Sequence, residues 1–114
     1  MTTATSRIQP IVTMPTRVRT NDIVEVRTML PHRMETGLRR DPQTGETVPR
    51  EIVHQFVATY SGQEVFRTRL HPAIAANPFL SFFLRVTAPG QLVLEWTDDR
   101  GEVTRVRRRV TVAS

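Results

Sequence analysis

Glu51-Ile52-Val53-His54-Gln55-Phe56-Val57-Ala58-Thr59-Tyr60, Ser61-Gly62, then Gln63-Glu64-Val65-Phe66-Arg67-Thr68-Arg69-Leu70 is the stretch that decides how the chain is read. With a period of two, Ile52, His54, Phe56, Ala58 and Tyr60 fall on one face, and Val53, Gln55, Val57 and Thr59 on the other. Ser61-Gly62 is a two-residue hairpin signal, so Gln63–Leu70 returns antiparallel. One hairpin of this kind sets the grammar for its neighbours: short strands, tight turns and no helical period.

Towards the C-terminus, 71–78 reads as an irregular connection. Its Ala73-Ile74-Ala75-Ala76 suits one helical turn, stopped by Asn77 and Pro78. Phe79–Thr87 is the most apolar strand. Ala88-Pro89-Gly90-Gln91 fits a type II turn in which Gly90 supplies positive φ. Leu92, Leu94 and Trp96 then alternate with Val93, Glu95 and Thr97, and Asp98-Asp99-Arg100-Gly101 closes a hairpin. Glu102–Val112 is the last strand, with a bulge expected near Thr104-Arg105 to reconcile Val103 with Val106.

Towards the N-terminus, 31–50 is a long, turn-rich connection of the kind that is usually functional or disordered. Ile23–Leu30 precedes it as a strand, and Asn21-Asp22 as a turn. Residues 8–13 and 17–20 are short β-like pieces interrupted by Pro10 and Pro15, which suits a sheet edge. Residues 1–7 read as frayed. The expectation is a single domain over 1–114, all-β, an immunoglobulin-like β-sandwich of about seven antiparallel strands.

Composition narrows the function classes. At 114 residues the chain fits one domain, and 39% hydrophobic with 24% charged residues sits in the globular range. No apolar run approaches the roughly 18 residues of a membrane span, and no membrane partner is expected. With no cysteine there is no disulfide, thiolate chemistry or cysteine-based zinc site. The N-terminus lacks a charged region followed by an apolar one, so no secretory signal is visible. Taken alone, that favours the cytoplasm or export as another chain's passenger.

The formal charge is +5, and all sixteen basic residues are arginine. That invites a nucleic-acid reading, but the arginines are scattered and no reading motif accompanies them, so none is expected. Arg105, Arg107, Arg108 and Arg109 read first as the charged rim of an edge strand. A sharper reading is a patch complementary to an acidic partner.

The sequence is thin in chemistry. His32, His54 and His71 are isolated from one another, and metal coordination needs several ligands at workable spacing. His32 with Glu35 could form a base and its orienting carboxylate. A small enzyme or metal-binding sandwich built on that pair is the rival reading. No glycine-rich phosphate loop exists, and no serine has a nucleophile-elbow context. The expectation is no catalytic, cofactor-binding or metal-binding residue. The strand 79–86 says more. Leu80, Phe82, Leu84 and Val86 form its core face, while Phe79, Ser81, Phe83 and Arg85 form the other. Two phenylalanines beside an arginine match the composition of an interface centre, unless the 31–50 loop covers them.

His32-Arg33-Met34-Glu35-Thr36-Gly37-Leu38-Arg39 with Asp41, Thr44-Gly45 and Val48-Pro49 resembles the loop of the SoxZ family. Asn77-Pro78-Phe79-Leu80-Ser81-Phe82 and Trp96-Thr97-Asp98-Asp99-Arg100-Gly101-Glu102 resemble two further signatures of that family, in order. The similarity runs from about residue 8 to 112, with Arg33 where the family usually has proline. The resemblance implies a cofactor-free, non-catalytic subunit of a sulfur-carrier complex. It would pair with a SoxY-type subunit whose cysteine carries sulfur intermediates between periplasmic thiosulfate-oxidising enzymes, which it would meet transiently. It also implies a periplasmic location reached by co-export with a signal-bearing partner. The expected partner-binding residues are His32, Met34, Glu35, Arg39, Asn77, Phe79, Phe83 and Arg85, and the isolated chain could pair with itself through its unpaired apolar face.

Overall fold

The computed structural model describes residues 9–71 and 76–113. Among these residues, seven strands appear in chain order: β1 Ile11–Thr13, β2 Asp22–Met29, β3 Val53–Tyr60, β4 Gln63–Arg69, β5 Phe79–Val86, β6 Gly90–Asp98 and β7 Val103–Val110. They form two antiparallel sheets, in the orders β1-β2-β5 and β4-β3-β6-β7. No helix occurs among the described residues, and the all-β sandwich expected from the strand pattern is the fold observed. The helical turn read into Ala73–Ala76 falls largely on 72–75, outside the described residues.

The core lies between the sheets. Phe56 on β3 touches Trp96 of β6 at a ring separation of 5.0 Å and Phe82 of β5 at 6.0 Å. Phe66 of β4 stacks on Phe82 at 5.2 Å, tying an edge of one sheet to an edge of the other. Val24, Val26, Leu84, Val86, Leu92 and Leu94 fill the remaining layer. Each such large side chain stabilises by about 1.5–3 kcal/mol through burial, the aromatic cluster and the aliphatic layer alike. Thr28 is buried as well, and its hydroxyl donates to the Leu80 carbonyl at 2.8 Å, so no polar atom is stranded there.

Several local expectations change. β3 does not run in one register. A shift between Val53 and Gln55 lets Ile52 and Val53 both face inward, while His54 is half-buried. A second shift lies between Ala58 and Thr59. The bulge expected near Thr104-Arg105 is absent: β6 and β7 pair without interruption from Gly90↔Val110 to Thr97↔Val103. Thr104 takes the inward position and Val103 the outward one, so polarity misled the assignment of faces. Gly90 is a strand residue without positive φ, not the third residue of a type II turn. Residues 17–20 contribute one bridge, Arg19↔Ala113, and no strand, whereas β1 does lie at an edge. The Ser61-Gly62 connection matches its reading, with φ of 50° and 82°, the pair of positive values that a tight hairpin turn needs.

Candidate functional site

The 31–50 segment is organised, and it builds one pole of the sandwich. Leu30 enters it fully buried, with its amide bonded to the Pro78 carbonyl. Met34 has φ of 55° and is only 4% exposed, so the chain turns sharply to drive this side chain into the core. There its sulfur accepts from the Val53 amide at 3.4 Å. Glu35 and Glu51 then exchange both backbone hydrogen bonds at 2.8 Å. Between them, Arg40↔Thr47 and the turn from Asp41 to Glu46 make a small excursion.

Three segments remote in sequence meet here. The His32 amide donates to the Asn77 side chain at 3.0 Å, and the Asn77 amide returns to the His32 carbonyl at 2.7 Å. Asp99, in the β6–β7 turn, receives a two-pronged contact from Arg50 at 3.0 Å and the Ile52 amide at 3.1 Å. Arg100 pairs with Glu51 at 2.8 Å. Asp98 is buried and accepts the amides of Arg100 and Glu102, closing that turn. The resulting open cleft, of about 480 Å³, is lined by Pro31, His32, Arg33, Glu35, Arg39, Val48, Glu51 and Asn77.

Electrostatics inside the cleft are largely settled by ion pairs. The Arg39 guanidinium, at 2.7 Å, holds the Glu35 carboxyl below its usual range, and the pairing raises Arg39 in turn. Burial alone would push Asp99 up, but Arg50, the Ile52 amide and the charge of His54 bring it below the ordinary value. Glu35 is therefore committed to Arg39 and does not orient His32, as the rival reading required.

His32 instead lies near Glu51 and Asp98, with one donor atom from each within 4.8 Å of the others. Such a trio could hold a metal ion on composition alone. The ring argues otherwise. Its Nδ1 accepts the Met34 amide at 2.9 Å, which places the proton of the neutral imidazole on Nε2. A histidine that ligates through Nε2 carries its proton on Nδ1 and donates it. This arrangement is a hydrogen-bonded knot better suited to shaping a surface than to coordinating an ion.

Of the residues singled out from sequence, His32, Glu35, Arg39 and Asn77 come together in the cleft. Met34 is brought to the same place but buried, so it positions the loop instead of touching a partner. Phe79 and Phe83 stand on the outer face of β5, 64% and 70% exposed, uncovered by the 31–50 loop. Arg85 is exposed on that face and reaches the Asn21 carbonyl at 3.4 Å. Because Asn77 and Phe79 flank Pro78, cleft and face form one continuous surface. Its further apolar member, Ile23 at 58% exposure, escaped the sequence reading. Ile23 pairs with Arg85 and faces outward because Val24 and Val26 take the inward positions of β2. Glu51 and Arg100 were missed because only the fold brings them beside His32.

The sequence profile of the SoxZ family, described as "Sulphur oxidation protein SoxZ", matches residues 12–108. The chain belongs to the SoxZ family. The three segments that carried the resemblance meet at the pole that holds the cleft. No curated protein matches this SoxZ-family chain by sequence. Solved structures similar to it include the sulfur carrier protein SoxY from Chlorobium limicola f thiosulfatophilum, at 15% identity and a TM-score of 0.63, covering 92% of this chain and 79% of that one. Superoxide reductase (neelaredoxin) from Ignicoccus hospitalis aligns at 15% identity and a TM-score of 0.64, covering 93% and 82%. A putative superoxide reductase from Thermotoga maritima aligns at 13% and 0.67, covering 92% and 86%. At these identities the likeness is one of fold, and the reductase likeness carries no activity to this SoxZ-family chain.

Proposed function

We propose that this chain is the non-catalytic subunit of a periplasmic sulfur-carrier complex. It holds a cysteine-bearing SoxY-type partner that shuttles sulfur intermediates between thiosulfate-oxidising enzymes. The observation that carries the reading is the surface running from the cleft along β5, with Phe79 and Phe83 exposed on a strand paired on one side only. Two uncovered phenylalanines beside an open strand edge are costly in a solitary protein and serve as anchors when a partner covers them. SoxZ-family membership points to the kind of partner, and the absence of cysteine means that the carried sulfur must sit on another chain. Export with a signal-bearing partner would account for the periplasmic setting.

Co-expression with a SoxY-type subunit tests this. The two chains should elute together by size exclusion, and the double substitution Phe79→Ser and Phe83→Ser should separate them. Since both rings are exposed, that variant should keep its own stability to within about 0.5 kcal/mol. Wild-type chain running as a monomer beside its partner would contradict the proposal.

A further inference from the structure

The two outer faces of the sandwich differ in chemistry. The face of β1-β2-β5 is apolar, with Ile11, Ile23, Phe79 and Phe83 exposed around a Glu25–Arg27 pair. The face of β4-β3-β6-β7 is not. Strand register sets Arg69, Gln55, Thr97 and Val103 in one row across it, and Arg67, Val57, Glu95 and Arg105 in the next. Beyond these lie Thr59, Val93 and Arg107, then Gln91 and Arg109. All point outward, because their neighbours Phe56, Ala58, Leu92, Leu94 and Trp96 are buried.

Half-buried Gln55, Val57, Thr59, Val93, Glu95 and Thr97 thus form the centre, rimmed by five arginines on β4 and β7. Two carboxylates share the face. Glu64 is taken by Arg67 and Glu95 by Arg105, each at 2.7 Å. Arg69, Arg107 and Arg109 have no ion-pair partner among the described residues. Edge protection alone does not explain this arrangement. Charges of either sign would guard an edge, yet the unpaired ones are all positive, and β5, also an edge, exposes two phenylalanines instead.

We propose that this face docks the acidic surface of another protein, and docks it transiently. On the carrier-complex reading, on which this rests, the occupants are the enzymes that act on the carried sulfur. Arginine is enriched at protein interfaces, and here two arginine-bearing strands flank a mixed centre in which Val57 and Val93 are half-buried. Nucleic acid is a poorer fit, because no aromatic side chain among the described residues stands on this face to stack a base. Four strands of about eight residues span roughly 400–500 Å², which places the contact among weak, exchanging encounters. Such a contact acts mainly through the rate of encounter. The carrier stays fixed on one sheet while enzymes come and go on the other.

The test uses the assembled complex of this chain with its carrier subunit. It compares wild type with the triple substitution Arg69→Gln, Arg107→Gln and Arg109→Gln. Co-purification is read first, then kcat/KM of each sulfur-oxidising enzyme towards the complex between about 20 and 300 mM salt, the range over which screening changes most. The variant should form the complex normally and keep kcat. Its kcat/KM at low salt should fall about three- to tenfold for at least one enzyme, with a flattened salt dependence. A variant complex matching wild type with every enzyme at every salt concentration overturns the proposal. So does tight binding of a mixed-sequence DNA duplex that the triple variant loses while turnover is unchanged. Failure of the wild-type chain to form any complex overturns the carrier reading and this inference with it.

Discussion

Gly90 and Asp99 show how single positions hold opposite poles of the sandwich. Gly90 starts β6 beside the β3–β4 turn, where a β-carbon would collide with Ser61 Oγ and press within 3.1 Å of the Tyr60 ring. Tyr60 cannot retreat easily, because its hydroxyl donates to the Ala88 carbonyl. Gly90→Ala should therefore lower stability by about 1–3 kcal/mol, with part of the loss recovered by adding Ser61→Ala, as read by urea unfolding. Asp99 pins the start of β3 to the β6–β7 turn through Arg50 and the Ile52 amide. Its carboxyl titrates below the ordinary range when folded, so its contribution is complete above about pH 4 and fades as pH falls through the lowered value. Asp99→Asn should cost about 1–3 kcal/mol near neutral pH. The gap between wild type and variant should shrink steadily in unfolding curves taken towards about pH 2.5.

At the scale of elements, most of the fold could be read in advance. Alternation in β5 and β6 reports burial directly, because every strand of a sandwich has one wet face and one dry one. The failures sit where that rule bends. The shift between Val53 and Gln55 lets consecutive residues face inward, which a period of two cannot express. Thr104 is buried and Val103 is not, so a polar residue on the inner face of β7 mimicked a bulge. Gly90 looked like a turn glycine, although close approach to Ser61 is what requires it. The candidate site was half legible. Phe79 and Phe83 could be read from β5 alone, and His32 and Asn77 from the signatures that contain them. The pairing of Arg39 with Glu35, and the meeting of Glu51, Arg100 and Asp98 beside His32, depend on contacts that no local pattern encodes.

At the scale of the whole molecule, the chain is a sandwich with two unlike outer faces and one built pole. The apolar face runs into the cleft through Asn77 and Pro78, and on the proposed function it is the surface that a permanent partner covers. The arginine-rimmed face lies on the other sheet, so a carrier held on β5 leaves it free. This separation is what a subunit needs if it must keep one partner while exchanging others. Backbone hydrogen exchange tests it most directly, by comparing the isolated chain with its complex with the cysteine-bearing carrier subunit. Complex formation should add protection in 79–86 and 31–39 and leave β4 and β7 unchanged. Protection concentrated on β4 and β7, with 79–86 exchanging as in the free chain, would contradict it.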